Sequence, residues 1–286
     1  MLSRKQYGQR KKITGILIYG LMVLSLLAVM ILLVFILAYI LKSAAGYLNI
    51  SFIFRSAAEG GIFPMVITTL YVVLTSLVIA LPVGIMTAIF LNEYSVNSWS
   101  IRMLRLAIEA LAGIPSILYG LFGLLLFCRF FKLGQSIISG ALTLSIMILP
   151  VIIRTTEEAL KSIPDSFREG SLSLGATKCQ TIFHVIIPEA LPGIVTSVIL
   201  SIGRVVGESA PVLLTVGITT NLPRSIFESG RTLTIHLYYL TKEAIRPEDF
   251  GIAFAASAVL IILVIFINTA TKIISGGLGN QGGGKI

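Results

Sequence analysis

The sequence predicts an all-α fold: a polytopic membrane helix bundle with six transmembrane helices and a cytoplasmic helical hairpin. Three observations carry this reading. The 286 residues are 56% hydrophobic and only 12% charged, with a mean hydropathy of +0.96, whereas a soluble domain carries about 25% charged residues. Charge-free runs recur at the length that crosses a bilayer, roughly 20 apolar residues. Such runs suit helices, because a barrel strand needs only ~9–11 residues of alternating character.

The runs follow in order. Residues 13–41 lie between Lys12 and Lys42, 60–92 between Glu59 and Glu93, and 110–128 between Glu109 and Arg129. Residues 133–153 lie between Lys132 and Arg154, and 250–271 between Asp249 and Lys272. The remaining run, 190–223, is interrupted only by Arg204 and Glu208. The first run follows the basic stretch "RKQYGQRKK" and far exceeds the roughly 7–15 apolar residues of a signal peptide. It is expected to be a retained anchor behind a cytoplasmic N-terminal segment, 1–12. Pro82, Gly84, Gly113, Pro115, Gly120, Gly123, Gly203, Gly207 and Pro211 fall inside the runs, as close helix packing and kinking require.

With the N-terminus inside, most of the 22 Lys and Arg residues fall in cytoplasmic segments, which is the bias that orients membrane proteins. Both termini are then cytoplasmic. The net charge of +9 reads as this topology signal and calls for no nucleic-acid partner. Cys128, near the outer side, and Cys179, in a cytoplasmic loop, are on opposite sides and do not pair. His184 and His236 lack ligand-like neighbours, so no metal site is expected. At the C-terminus, Gly279, Gly284 and Lys285 form GxxxxGK, but Ile286 stands where a phosphate-binding loop needs Ser or Thr. Residues 274–286 read as a flexible Gly-rich tail. No cofactor or catalytic activity is expected of the chain.

The cytoplasmic loop, 154–190, reads "RTTEEALKSIPDSFREGSLSLGATKCQTIFHVIIPEA". Pro164 breaks the helix before it. Ser166 and Glu169 form S-x-x-E, a capping-box pattern, so a short helix is expected to run to Leu174 with Gly175 at its C′ position. Thr177 and Gln180 form a second box, opening a helix that carries Ile182, Phe183, Val185, Ile186 and Ile187 to Pro188. This hairpin is either a surface connector or a docking element for a soluble partner.

Arg204 and Glu208 pose a different question. Four apart in a helix, they share a face. Each charge at mid-bilayer costs ~2.5–3.5 kcal/mol, and an ordinary pair at that spacing returns only ~0.2–0.5 kcal/mol. Helix stability is therefore not the reason for them. They either neutralise each other inside the bundle or line a polar path. A guanidinium offers five fixed donors suited to oxyanions, and Glu208 would hold it and accept from a protonated substrate. Arg154 ends the fourth run, as a snorkelling interface residue or as part of the path.

The stretch E-G-S-L-S-L-G, 169–175, followed by V-I-I-P, resembles the EAA loop of permeases of binding-protein-dependent ABC importers, E-A-A-x3-G-x9-I-x-L-P. Glu169, Gly175 and Pro188 match; Gly170 and Ser171 replace alanines, and Val185 and Ile187 replace Ile and Leu. Those departures leave the first turn more flexible. In that family the helix inserts into a groove of the ATPase subunit, which implies a coupling role for Glu169, Gly170, Ser171, Gly175 and Pro188.

"EGGIFPMVITTL", "ALPVGIMTAIFLNEY", "LAGIPSILYGLFGL" and "GRVVGESAPVLLTVG" extend the likeness over about residues 58–217. They resemble the PstA-type permeases of phosphate-specific ABC importers, whose pattern is G-R-x-x-G-E-[ST]-A-P. The resemblance implies ATP-driven import of inorganic phosphate across a prokaryotic cytoplasmic membrane, with Arg204, Arg154 and Glu208 on the substrate pathway. It also implies a heteromer with a PstC-type second permease, two ATP-binding subunits and an extracytoplasmic phosphate-binding protein. Another oxyanion, sulfate or molybdate, stays open, since one arginine does not distinguish tetrahedral anions, as does an ATPase-independent secondary transporter. The permease domain is expected over 13–273. Its outer loop, 219–249, either contacts the binding protein or lies along the surface.

Overall fold

The computed structural model describes residues 4–94 and 98–279, and among them every regular element is helical. The chain opens with α1 (Arg4–Ala44), a short α2 (Ile50–Phe54) and a 3-10 turn, Ala57–Glu59. Helix α3 (Phe63–Ile89) follows and widens at its end into a π-turn, Phe90–Tyr94. Next come α4 (Trp99–Gly113), α5 (Ser116–Gly123) with a π-turn over Leu124–Phe130, and α6 (Ile137–Lys161). A hairpin of α7 (Asp165–Ser173) and α8 (Lys178–Thr181) leads through a third π-turn, Ile182–Ile186, into α9 (Ile187–Gly207). Helices α10 (Ala210–Thr215), α11 (Leu233–Glu243) and α12 (Pro247–Gly279) complete it.

Five helical stretches are long and apolar enough to cross a bilayer: 14–44, 63–94, 137–161, 178–207 and 248–273. The third expected span differs. It is a pair, Trp99–Gly113 and Ser116–Phe130, bent by 102°. Pro115 is the cause, since a proline drives the residue before it out of the helical region; Ile114 sits at φ −71°, ψ 130°. The Tyr119 hydroxyl braces the bend by donating to the Leu111 carbonyl at 2.6 Å. Ser116–Phe130 spans only roughly 22 Å at 1.5 Å per residue. At the C-terminus α12 stays helical through Gly279, where the sequence suggests a flexible tail from 274; residues 280–286, with most of the GxxxxGK stretch, lie outside the described residues.

Helix α6 is the centre of the bundle. Leu144, Met147, Ile148 and Ile152 are fully buried among Val72, Val73 and Leu77 of α3 and Ile202, Val205 and Val206 of α9. Small residues set these approaches: a Cβ on Gly84 would lie 2.6 Å from Ile152, and Gly193 of α9 rests on Ala159. Between helices, Ser145 donates to the Ser76 carbonyl at 3.0 Å. Close contact and interhelical hydrogen bonds are what hold helices together where lipid removes the hydrophobic drive. A second apolar cluster, including Ile89, Leu91, Ile153, Leu160, Ile182 and Ile186, lies at the hairpin end. Helix α1 packs on α12, where Tyr39 meets Phe254 edge-on at 5.5 Å and Ala44 packs on Ala255 and Ala258.

The far end of α6 is closed by the segment between α10 and α11. A helix begins with backbone N–H groups that have no partner inside it. Here Ser136 donates to Thr215, Ile137 to Glu228 and Ile138 to Ile226, at 2.8–3.0 Å. The expected outer loop therefore caps the central helix, turning at Gly217, whose φ of +104° favours glycine.

Candidate functional site

Arg204 and Glu208 are adjacent in space but not on one helix, which corrects the shared-face expectation. Helix α9 ends at Gly207, and Glu208 is extended at φ −76°, ψ 133°. The reason lies at Pro211: a proline ring in a helix clashes with the carbonyl four residues back, which here is Gly207. The chain restarts as α10, with Pro211 in its first turn. Groups freed by the break find partners: the Glu208 N–H donates to Val205 at 3.3 Å, and the Glu208 carbonyl accepts from the Thr234 hydroxyl at 3.1 Å. Helix α5 presses on the restart, since a Cβ on Gly120 would lie 2.7 Å from the Pro211 Cα.

Arg204 lies in the last turn of α9, where the helix dipole favours a cation. Its Nε stands 3.9 Å from Glu208 Oε1, with side chains 30% and 18% exposed. That is an ion pair without a close hydrogen bond. Most of the guanidinium fork is left to donate elsewhere.

Arg154 is placed apart from that pair. It lies inside α6 rather than at its end, roughly 10 Å along the helix from Lys161, while Arg204 is roughly 25 Å along α9 from Ile187. Its partner is Glu109 of α4, 3.6 Å away. One turn on, Arg105 of α4 bonds Glu157 of α6, and Lys161 reaches the same carboxylate at 2.7 Å. The two rungs tie α4 to α6 beside a cavity of about 240 Å³.

The hairpin differs from expectation at both ends of the motif. Pro164, not Ser166, is the N-cap of α7, with no side-chain cap; its fixed φ is already suited to a helix start. Glu169 therefore closes no box and stands exposed beside Gly170. Gly175 does turn the chain at φ +86°, and the Thr177–Gln180 capping box is present. Ser171 and Thr181 hydroxyls join the two arms at 2.9 Å. Pro188 does not end the second arm. The π-turn, with Ile187 N–H donating to Ile182, absorbs the proline, so the helix continues to Gly207. At the tip Leu174 is 90% exposed, with Phe167 and Leu172 half-exposed nearby.

Arg168, only partly exposed, is the anchor of this hairpin. It donates to Glu93 at 2.8, 3.2 and 3.3 Å, to the Leu160 and Ile163 carbonyls at 3.0 Å each, and to Asp165 at 3.1 Å. The Glu93 hydrogen bonds are the main cause raising its pKa above the ordinary arginine value. At the opposite end of the bundle a cavity of about 950 Å³ is lined by Arg224, Glu228, Arg231 and His236. Burial, then the Arg231 charge, lowers the His236 pKa to about 4, so its ring is neutral near pH 7.

Residues 80–279 match the family described as "Binding-protein-dependent transport system inner membrane component". The chain belongs to that family. This inner-membrane permease component is 35% identical to the probable ABC transporter permease protein YqgI of Bacillus subtilis, over 92% of this chain and 95% of that one. It is 39% identical to the phosphate transport system permease protein PstA 1 of Mycobacterium tuberculosis, over 75% and 70%. Among solved structures it resembles a bacterial alginate ABC transporter with a TM-score of 0.68 at 15% identity, covering 93% of this chain and 97% of that one. The MetNI methionine ABC transporter gives 0.59 at 23%, covering 76% and 94%. At those identities the structures establish the permease fold alone.

Sequence reasoning passes over Glu93, Arg105, Glu157 and Arg168 in this permease. Glu157 and Lys161 carried a local signal, i,i+4 spacing continuous with the fourth span. The pairing of Arg168 with Glu93 had none.

Proposed function

We propose that this permease imports inorganic phosphate, with ATP hydrolysed by two separate ATP-binding subunits and the anion delivered by an extracytoplasmic phosphate-binding protein. A PstC-type second permease completes the path, and the chain itself catalyses nothing. The observation that carries the reading is the Arg204–Glu208 pair at the α9–α10 break. Likeness to relatives named as phosphate transport permeases supports the choice of anion.

At the break, Arg204 meets the anion with a planar fork of donors. Glu208 neutralises the resting site and limits how tightly the anion is held. It also accepts a hydrogen bond that only a protonated oxyanion offers; phosphate keeps a proton near neutral pH and sulfate does not. A site with a largely shielded acceptor disfavours a ligand that leaves it unpaired. Arg154, nearer the hairpin, supplies a second cation where the path opens inward. The hairpin faces the cytoplasm with both termini. Glu169, Gly170 and the exposed Leu174 meet the ATP-binding subunit, while Ser171, Gly175 and Pro188 hold the hairpin's shape.

The test is uptake by the complete transporter in vesicles. Phosphate accumulation should need ATP and the ATP-binding subunits, and excess sulfate or molybdate should not displace phosphate. Uptake without those subunits, or equal displacement by sulfate, would contradict the proposal.

A further inference from the structure

The π-turn that ends α3, Phe90–Tyr94, is held by three cations from three different elements. Arg168 of α7 grips Glu93 with three hydrogen bonds. Arg105 of α4 donates to the Leu91 carbonyl at 3.3 Å while bonding Glu157 of α6. Lys178 of α8 sits 4.7 Å from the centre of the Tyr94 ring.

Helix α7 buries none of its own residues. Its hold on the bundle is polar: Arg168 to Glu93 and to the end of α6, and Ser171 to Thr181. The Glu93 side chain is 7% exposed and that of Arg168 18%, so the link is largely shielded from water, where charge-assisted bonds are strong and directional. Beyond the turn, α3 runs along α6 and packs on α9, the helix that carries Arg204. A groove of about 580 Å³ lies beside Glu93 and Arg168.

We propose that the 90–94 turn is the receiving joint of the transporter: displacement of the hairpin enters the bundle through Arg168–Glu93 and passes along α3. Glu93 and Arg168 are thus positioning residues for coupling, acting through the turn and the hairpin. The inference rests on the hairpin being the docking element for the ATP-binding subunits.

The experiment uses the complete transporter in vesicles, reading ATP hydrolysis and phosphate uptake together. Glu93→Gln and Arg168→Gln should keep hydrolysis within about twofold of wild type while phosphate carried per ATP falls about tenfold, a coupling change of ordinary allosteric size. The charge swap Glu93→Arg with Arg168→Glu should recover part of that ratio, which a merely structural loss would not allow. Where the single variants fail to assemble, Lys178→Gln and Tyr94→Leu loosen the milder grip on the same turn and should lower the same ratio. An unchanged ratio in assembled variants, or hydrolysis and uptake falling together, overturns the joint. Failure of the phosphate proposal itself would show instead as no ATP-dependent phosphate uptake by wild type.

Discussion

The Thr234 hydroxyl of α11 donates to the Glu208 carbonyl at 3.1 Å, tying the segment that follows α10 to the break beside Arg204. The same segment caps the start of α6 through the carbonyls of Ile226 and Glu228. The helix break is thus fastened to the element that closes the far end of the bundle.

Thr234→Val keeps the shape and removes the donor. Such a loss costs about 1 kcal/mol, so amide exchange over 207–213 should quicken and uptake should slow. ATP hydrolysis should change little. Unchanged exchange there would show that the bond does not hold the break.

Glu208→Gln removes the acceptor charge but keeps the size. Phosphate uptake should weaken while inhibition by sulfate strengthens, so the preference between them should narrow by about 1.4 kcal/mol or tenfold. Competition assays on the reconstituted transporter read this directly. An unaltered preference would remove Glu208 from selection.

Two glycines of the hairpin should respond in opposite ways. Nothing lies within 4 Å of a Cβ built on Gly170, so Gly170→Ala should strengthen α7 by up to about 1 kcal/mol. Gly175 holds φ +86°, so Gly175→Ala should weaken the turn by about 1 kcal/mol. Exchange protection of 165–181 distinguishes the two.

His236 predicts a pH effect. Its folded pKa of about 4 lies below the ordinary value of about 6.5. Between those values the unfolded chain binds the proton and the folded chain does not, so stability falls as pH drops through that window. Above pH 6.5 the residue has no effect, and below pH 4 the loss is complete, at most about 3 kcal/mol. Arg231, Arg224 and Glu228 share its cavity. The drop in thermal midpoint between pH 7 and pH 5 should shrink in His236→Gln; an equal drop would place the effect elsewhere.

Spans 1, 2, 4 and 6 were legible because a charge-free run of sufficient length is itself the physical determinant of a membrane helix. The two irregular spans were written in their prolines: Pro115 bends the third, and Pro211 acts through Gly207 to break the fifth. Reading Arg204 and Glu208 by i,i+4 spacing alone overlooked that clash. In the hairpin, Pro164 pre-empted the S-x-x-E box, whereas Thr177 and Gln180 had no competing cap and formed theirs. Arg168 and Glu93 are 75 residues apart, and only the packing of α7 against the end of α3 brings them together. Arg154 was visible as a charge, but its pairing with Glu109 depends on how the bend at Pro115 lays α4 against α6.

On the proposed path Arg204 receives the anion at the break. The most direct measurement is the phosphate uptake rate of Arg204→Ala in vesicles containing the complete transporter, with assembly checked by co-purification of the ATP-binding subunits. Assembly should stay intact, ATP hydrolysis should continue and uptake should fall at least about a hundredfold, as loss of a charge-assisted contact of roughly 3 kcal/mol implies. Wild-type uptake by an assembled Arg204→Ala transporter would contradict it.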